Sequence, residues 1–221
     1  MRAMQNASGE HITARSYPIA SATAIKAGQV VVLSGGKVTA AVSAQTGALL
    51  GIAAENHPGT ADALNKRANG GEILVYDNPG LIFECPVPVV KAASGSSTTL
   101  VPASGDIAAS AADDTYNNSI VVLKKKAADS TNTDAVGVHR TVSDYAKTGT
   151  VLTVESGGTP NAGDEYEFYP ALGKCIGALD TGIEKLVVSA TGATAIRVIG
   201  HDFDRSMIRC IASLHTLCHE S

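Results

Sequence analysis

The 221-residue chain carries 17 Lys and Arg against 21 Asp and Glu, a formal net charge of −4, and 44% hydrophobic residues. This length and apolar content suit one large β domain or two small ones. The mild acidity lacks the broad basic stripe of a nucleic-acid binder, and no apolar run reaches the ~18 residues needed to span a bilayer. Aromatics are only 4%, with three Phe and no Trp. Large aromatic side chains normally dominate burial, so association with itself or a partner is expected to complete it.

Residues 1–16 show no periodic apolar pattern and read as a flexible N-terminal arm. Met1 to Ser16 also lacks the apolar core of a signal peptide. The product is therefore expected to stay in the compartment where it is made. There Cys85, Cys175, Cys210 and Cys218 should be free thiols, with Cys85 and Cys175 acting as small core residues.

The pattern changes at Tyr17-Pro18. Gln29-Val30-Val31-Val32-Leu33 reads as a buried strand, Ser34-Gly35-Gly36 as a turn, and Lys37 to Val42 as the returning strand of a hairpin. Leu49 to Ala54 is a third strand. Between Thr60 and Asn69 the apolar spacing fits a short helix closed by Gly70-Gly71, or a long loop. Glu72 to Tyr76 and Leu81 to Cys85 read as a second hairpin across the turn Asp77-Asn78-Pro79-Gly80. Pro86 and Pro88 restrict pairing beyond it.

From Ala92 the composition shifts to Ser, Gly, Thr and Ala, marking residues 92–118 as a linker. The expected organisation is an arm (1–16), an N-terminal β domain (17–91), this linker, and a C-terminal β domain (119–221). Strands in the last part are expected at Ile120–Leu123, Thr150–Val154, Glu165–Tyr169, Lys174–Leu179, Leu186–Val188 and Ala195–Ile199. Ser206 to Leu217 fits a closing strand or a short helix. Short strands with regular turn signals indicate a mainly β fold of small barrels or sandwiches. Ala27-Gly28, Gly36-Lys37 and Thr46-Gly47 match Ala162-Gly163, Gly173-Lys174 and Thr181-Gly182 over equal total spans, as if hairpins in the two halves were related, or by coincidence.

No catalytic motif emerges, and the chain is expected to be neither an enzyme nor a cofactor or metal protein. Gly36-Lys37 and Gly173-Lys174 lack the preceding glycine and following hydroxyl of a phosphate loop. Cys210, His215, Cys218 and His219 are soft ligands, but they crowd the last residues instead of facing each other across a turn. His201-Asp202-Phe203-Asp204 offers carboxylates or a base, yet a polar turn accounts for it equally. Lys124-Lys125-Lys126 reads as a solvated strand end. A glycan-binding or host-surface module is the rival class. It would need an aromatic platform, and Tyr76, Tyr116, Tyr145, Tyr166 and Tyr169 are scattered.

Several segments, in order, resemble capsid decoration (cement) proteins of tailed bacteriophages. They are Ala27-Gly28-Gln29-Val30-Val31-Val32-Leu33, Gly36-Lys37-Val38, Leu50-Gly51-Ile52-Ala53, Gly71 to Pro79, and Ile82-Phe83-Glu84. The likeness covers residues 17–90 and loosens afterwards. It implies a small barrel-like domain on the outside of the expanded capsid, made in the bacterial cytoplasm and grouped as a homotrimer around three-fold positions. There it clamps the major capsid protein, without catalytic residues. Any capsid-binding residues are expected within the arm Met1 to Ser16.

Overall fold

The computed structural model describes residues 2–6, 12–20, 24–41, 49–59, 71–78, 80–107, 113–173, 175–176, 178–179, 186–187 and 196–212. Every regular element among them is a strand, so the protein is mainly β. The first eight are β1 (Arg2–Asn6), β2 (Ala14–Pro18), β3 (Ala24–Ile25), β4 (Val30–Ser34), β5 (Lys37–Ala40), β6 (Gly51–Ala53), β7 (His57–Pro58) and β8 (Glu72–Tyr76). Then come β9 (Leu81–Pro86), β10 (Val89–Ser96), β11 (Thr99–Pro102), β12 (Ile120–Lys125), β13 (His139–Ala146), β14 (Val151–Val154) and β15 (Glu165–Tyr169). The chain ends with β16 (Cys175–Ile176), β17 (Ala178–Leu179), β18 (Leu186–Val187), β19 (Ile196–Asp202) and β20 (Met207–Ala212).

The N-terminal sheet is five-stranded, in the order β2-β8-β6-β4-β5. A parallel bridge between Ile19 and Val38 brings its two outer strands together. The run Val30 to Leu33 is continuously apolar because both faces of β4 are covered. Val31 belongs to the core inside this sheet with Val38, Ile73 and Val75, with Leu33 packed against it. Val30 belongs to a second core with Phe83, Cys85 and Ile208, with Val32 packed against that one. The β4–β5 hairpin turns through Gly35 and Gly36, at φ 56° and 75°, the left-handed pair that such a turn requires.

The second hairpin is not formed. β8 pairs with β2 and β6, whereas β9 pairs with β1 and β20. Asp77, 2% exposed, is held by the Tyr17 hydroxyl and by Arg15 at 3.5 Å. The turn thus binds back to β2 while the chain passes into another sheet.

That joining sheet has the order β1-β9-β20-β19-β16 and draws strands from both ends of the chain. Between β9 and β16 lies a closed six-stranded barrel, β10-β11-β14-β13-β12-β15, filled by Leu100, Val142, Tyr145, Leu152, Tyr166 and Phe168. Two consecutive domains, 17–91 and 119–221, are therefore corrected to a barrel inserted into a sheet. The 92–118 linker is corrected as well, because β10 and β11 are barrel staves. Their Ala, Ser and Gly residues hid a strand alternation in which Ala92 and Leu100 point inward.

The free arm is also overturned. β1 pairs with β9, and Ala14 to Ser16 pair with β8; neighbouring strand edges supply the order that local apolar periodicity does not. Residues 207–212 form a closing strand, not a helix. Residues 60–70, the possible helix, lie outside the described residues. The two Gly-Lys pairs do not mark equivalent hairpins: β15 pairs with β10 and β12, and Gly173 lies in the chain leaving the barrel.

Candidate functional site

The predicted polar run His201-Asp202-Phe203-Asp204 ends β19 and opens the turn into β20. Asp202 accepts a hydrogen bond from the Arg205 backbone N at 3.2 Å, shaping the turn. Ser206 closes it at φ 51°, a left-handed conformation uncommon for a residue with a side chain. The turn projects Phe203 against the barrel. Its ring lies 4.6 Å from His139 of β13 and 4.6 Å from Tyr169 of β15, with His201 at 5.6 Å. These tilted ring contacts add to the burial of Tyr169, while Phe203 remains 37% exposed.

Polar contacts fix the rings. His201 Nε2 donates to the Pro170 carbonyl at 2.8 Å, which sets its tautomer. Burial keeps the His201 pKa below its ordinary value, and the Pro170 contact only partly opposes this. The Tyr169 hydroxyl donates to Glu167 at 2.9 Å, and Lys124 lies 3.1 Å from the same carboxylate. Burial alone would raise the Glu167 pKa, but the Ser206 hydroxyl, Lys124 and Tyr169 together hold it below the ordinary carboxylate value. Burial and then Glu167 push the Tyr169 phenol upward, so it stays a hydrogen-bond donor.

On the joining sheet, Glu84 is fully buried beneath two arginines. Arg205 lies 3.0 Å and Arg209 3.5 Å from its carboxylate, and both also reach Asp202, at 3.5 and 3.7 Å. A buried carboxylate is tolerated only when paired, so Glu84 anchors the turn through Arg205. The stem of Arg209 runs over Gly200. Sequence reasoning singled out residues 201–204 but neither Arg205 of the same turn nor His139, Glu84, Glu167 and Arg209, which meet the turn through tertiary packing.

The other candidates fall elsewhere. Cys210 is a buried core thiol on β20, 3.8 Å from the Cys85 thiol; His215, Cys218 and His219 lie outside the described residues. Among the described residues, no three His, Cys, Asp or Glu side chains are gathered to hold a metal. Tyr116, Tyr145 and Tyr166 fill the barrel interior, Tyr76 packs against the joining core, and only Tyr169 reaches the ring cluster. Lys124 pairs with Glu167, and Lys126 donates to the Asn132 carbonyl at 2.7 Å. Of the arm, 2–6 is an edge strand of the joining sheet and 14–16 lies in β2.

Fold and site together define an all-β protein in which a barrel is fastened to a sheet by a ring-and-arginine turn. Searches of family models, curated proteins and solved structures find no match for the chain.

Proposed function

We propose that this chain is a structural virion protein that binds the outer surface of an expanded tailed-phage capsid and clamps neighbouring major capsid proteins. The observation that carries the reading is where the phage-like segments lie. Ala27–Leu33, Gly36–Val38, Leu50–Ala53 and Gly71–Pro79 supply β4, β5, β6 and β8, which are successive neighbours in one sheet, while Ile82–Glu84 lies in β9 of the joining sheet. In the first four, residues far apart in sequence thus form a single unit around one core. The mixture of Phe203, His139 and Arg205 at the surface fits the composition of protein contact sites, where aromatics and arginine are enriched.

The mechanism is linkage. A protein that binds only the expanded shell stabilises that state by mass action, and grouping as a homotrimer multiplies weak contacts. The test is co-sedimentation of purified protein with expanded, undecorated capsids of the phage that encodes it, followed by imaging. Saturable decoration at three-fold positions is expected. No binding to those capsids, with retention on a glycan array, would replace this reading with the glycan-module class.

A further inference from the structure

The barrel is joined to the remainder of the chain by two short connections, the way in held by the β19–β20 turn and the way out by β19 itself. On the way in, Pro86-Val87-Pro88 links β9 to β10, and Val87 N donates to the Ser206 carbonyl at 3.1 Å. On the way out, residues 170–173 leave β15. Pro170 O accepts from His201 Nε2 at 2.8 Å, and Gly173 N donates to the Val198 carbonyl at 2.8 Å. The turn also grips the barrel wall, with Phe203 between His139 and Tyr169. Arg205 secures the turn to the joining sheet through Glu84. These contacts adjoin an apolar joint in which Val122 and Tyr169 of the barrel share a core with Val87 and Ile208.

We infer that the turn formed by residues 203–206 is a clasp: it fixes the inserted barrel in one orientation on the joining sheet, and its release lets the barrel swing about the two connections while both units stay folded. Three features carry this. The clasp is made of a few polar and ring contacts and not of continuous strand pairing. Its central ring is part-exposed, so it opens without unpacking either interior. The way in is bounded by Pro86 and Pro88 and the way out starts at Pro170, which stiffens the chain where it meets the barrel, so these points act as pivots and not as loose tethers. The inference does not depend on the capsid reading, and its test uses the free protein.

Spin labels placed by Lys37→Cys on the N-terminal sheet and Asp129→Cys on the barrel, with Cys175→Ser and Cys218→Ser, report the distance between the units. The parent should give one narrow distance. Adding Phe203→Ala should broaden it or add a second distance, and the Val87 and Gly173 amides should exchange about tenfold faster while β12 to β15 and β4 to β8 exchange as before. An unchanged distance distribution overturns the clasp, because the apolar joint alone then sets the angle. Exchange accelerated equally in all strands also overturns it, because the turn is then part of one cooperative core. Ser206→Gly, which keeps the carbonyl that accepts from Val87 N but frees the backbone of the turn, should broaden the distance to a smaller extent; a narrower distribution than the parent's counts against the clasp.

Discussion

Asn132 Nδ2 donates to Asp164 Oδ2 at 3.0 Å, tying the long loop after β12 to the turn before β15. Asp164 is fully buried and also accepts from Ala127 N at 2.9 Å, Ser130 Oγ at 3.1 Å and Asn161 N at 3.1 Å. Burial alone would raise its pKa, but these donors hold it below the ordinary value. Asp164→Ala should lose about 3 kcal/mol in urea unfolding, since several buried donors lose their acceptor. Asp164→Asn should be nearly as harmful, because its NH2 would face donors. An Asn variant as stable as the parent contradicts the network.

The pH dependence has two ranges. His201 has its folded pKa below the ordinary 6.5, so the unfolded chain binds the proton first. Its neutral form supports the fold fully above 6.5, and that stability falls as pH drops from there towards the depressed folded value. His201→Gln keeps a donor for Pro170 and should flatten this part of the profile. Asp164 and Glu167 act lower. Their folded pKa values lie below the ordinary 3.8 and 4.5, so their contribution is present above those values and disappears as pH falls through the folded ones. A melting temperature independent of pH around and below 6.5 in the parent would contradict the His201 assignment.

Two glycines should fail for different reasons. A methyl at Gly157 would collide with the Arg140 guanidinium, which is buried, paired with Asp134 and donating to the Gly158 carbonyl at 2.6 Å. Gly157→Ala should lose about 2 kcal/mol through overpacking. Gly36 has open space but a φ of 75°, so Gly36→Ala should lose only about 1 kcal/mol, from backbone strain. Chemical denaturation of both variants tests the order.

The facing thiols of Cys85 and Cys210 are buried in the joining core, and the Cys210 pKa is raised by its contact with Cys85 and by burial. The thiolate is the reactive form. Neither should react with an aromatic disulfide reagent in the folded protein, and both should react at once in denaturant. Mass mapping of the modified cysteines decides this.

How much of this was legible depended on where each residue finds its partner. Val30 to Leu33 announced a doubly covered strand because its run is apolar throughout, and Gly35-Gly36 announced the turn. β13 was missed because the inward positions Arg140, Val142 and Tyr145 include a cation whose partner, Asp134, lies outside the strand. β10 was missed because small polar residues blur its alternation. At the turn, residues 201–204 stood out as polar, but nothing in the sequence joins Arg205 to Glu84, 121 positions away. The nested topology was hidden for the same reason: β9 and β20 are paired although the whole barrel lies between them in the chain.

The N-terminus gives the clearest reversal of a sequence expectation. A free arm could be removed without harm. Here β1 covers one edge of β9, with Arg2 opposite Glu84 and Asn6 opposite Leu81, and β2 pairs with β8 from Ala14↔Tyr76 to Pro18↔Glu72. Deleting residues 1–6 should therefore bare the β9 edge without removing core residues of the N-terminal sheet. A modest fall in melting temperature and concentration-dependent association are expected, since an uncovered edge is a template for pairing. Deleting residues 1–16 goes further, because it strips Ala14, Arg15 and Ser16 from β2. It also removes Arg15 from Asp77 and the Ser16 hydroxyl from Glu72, a 2.7 Å contact. That variant should lose several kcal/mol, about 1 for each net hydrogen bond broken, and should express largely in aggregated form. Circular dichroism melts and light scattering on the two truncations test the pairing. A 1–16 deletion that is monomeric and melts with the parent would show that the strands at this end do not hold the fold.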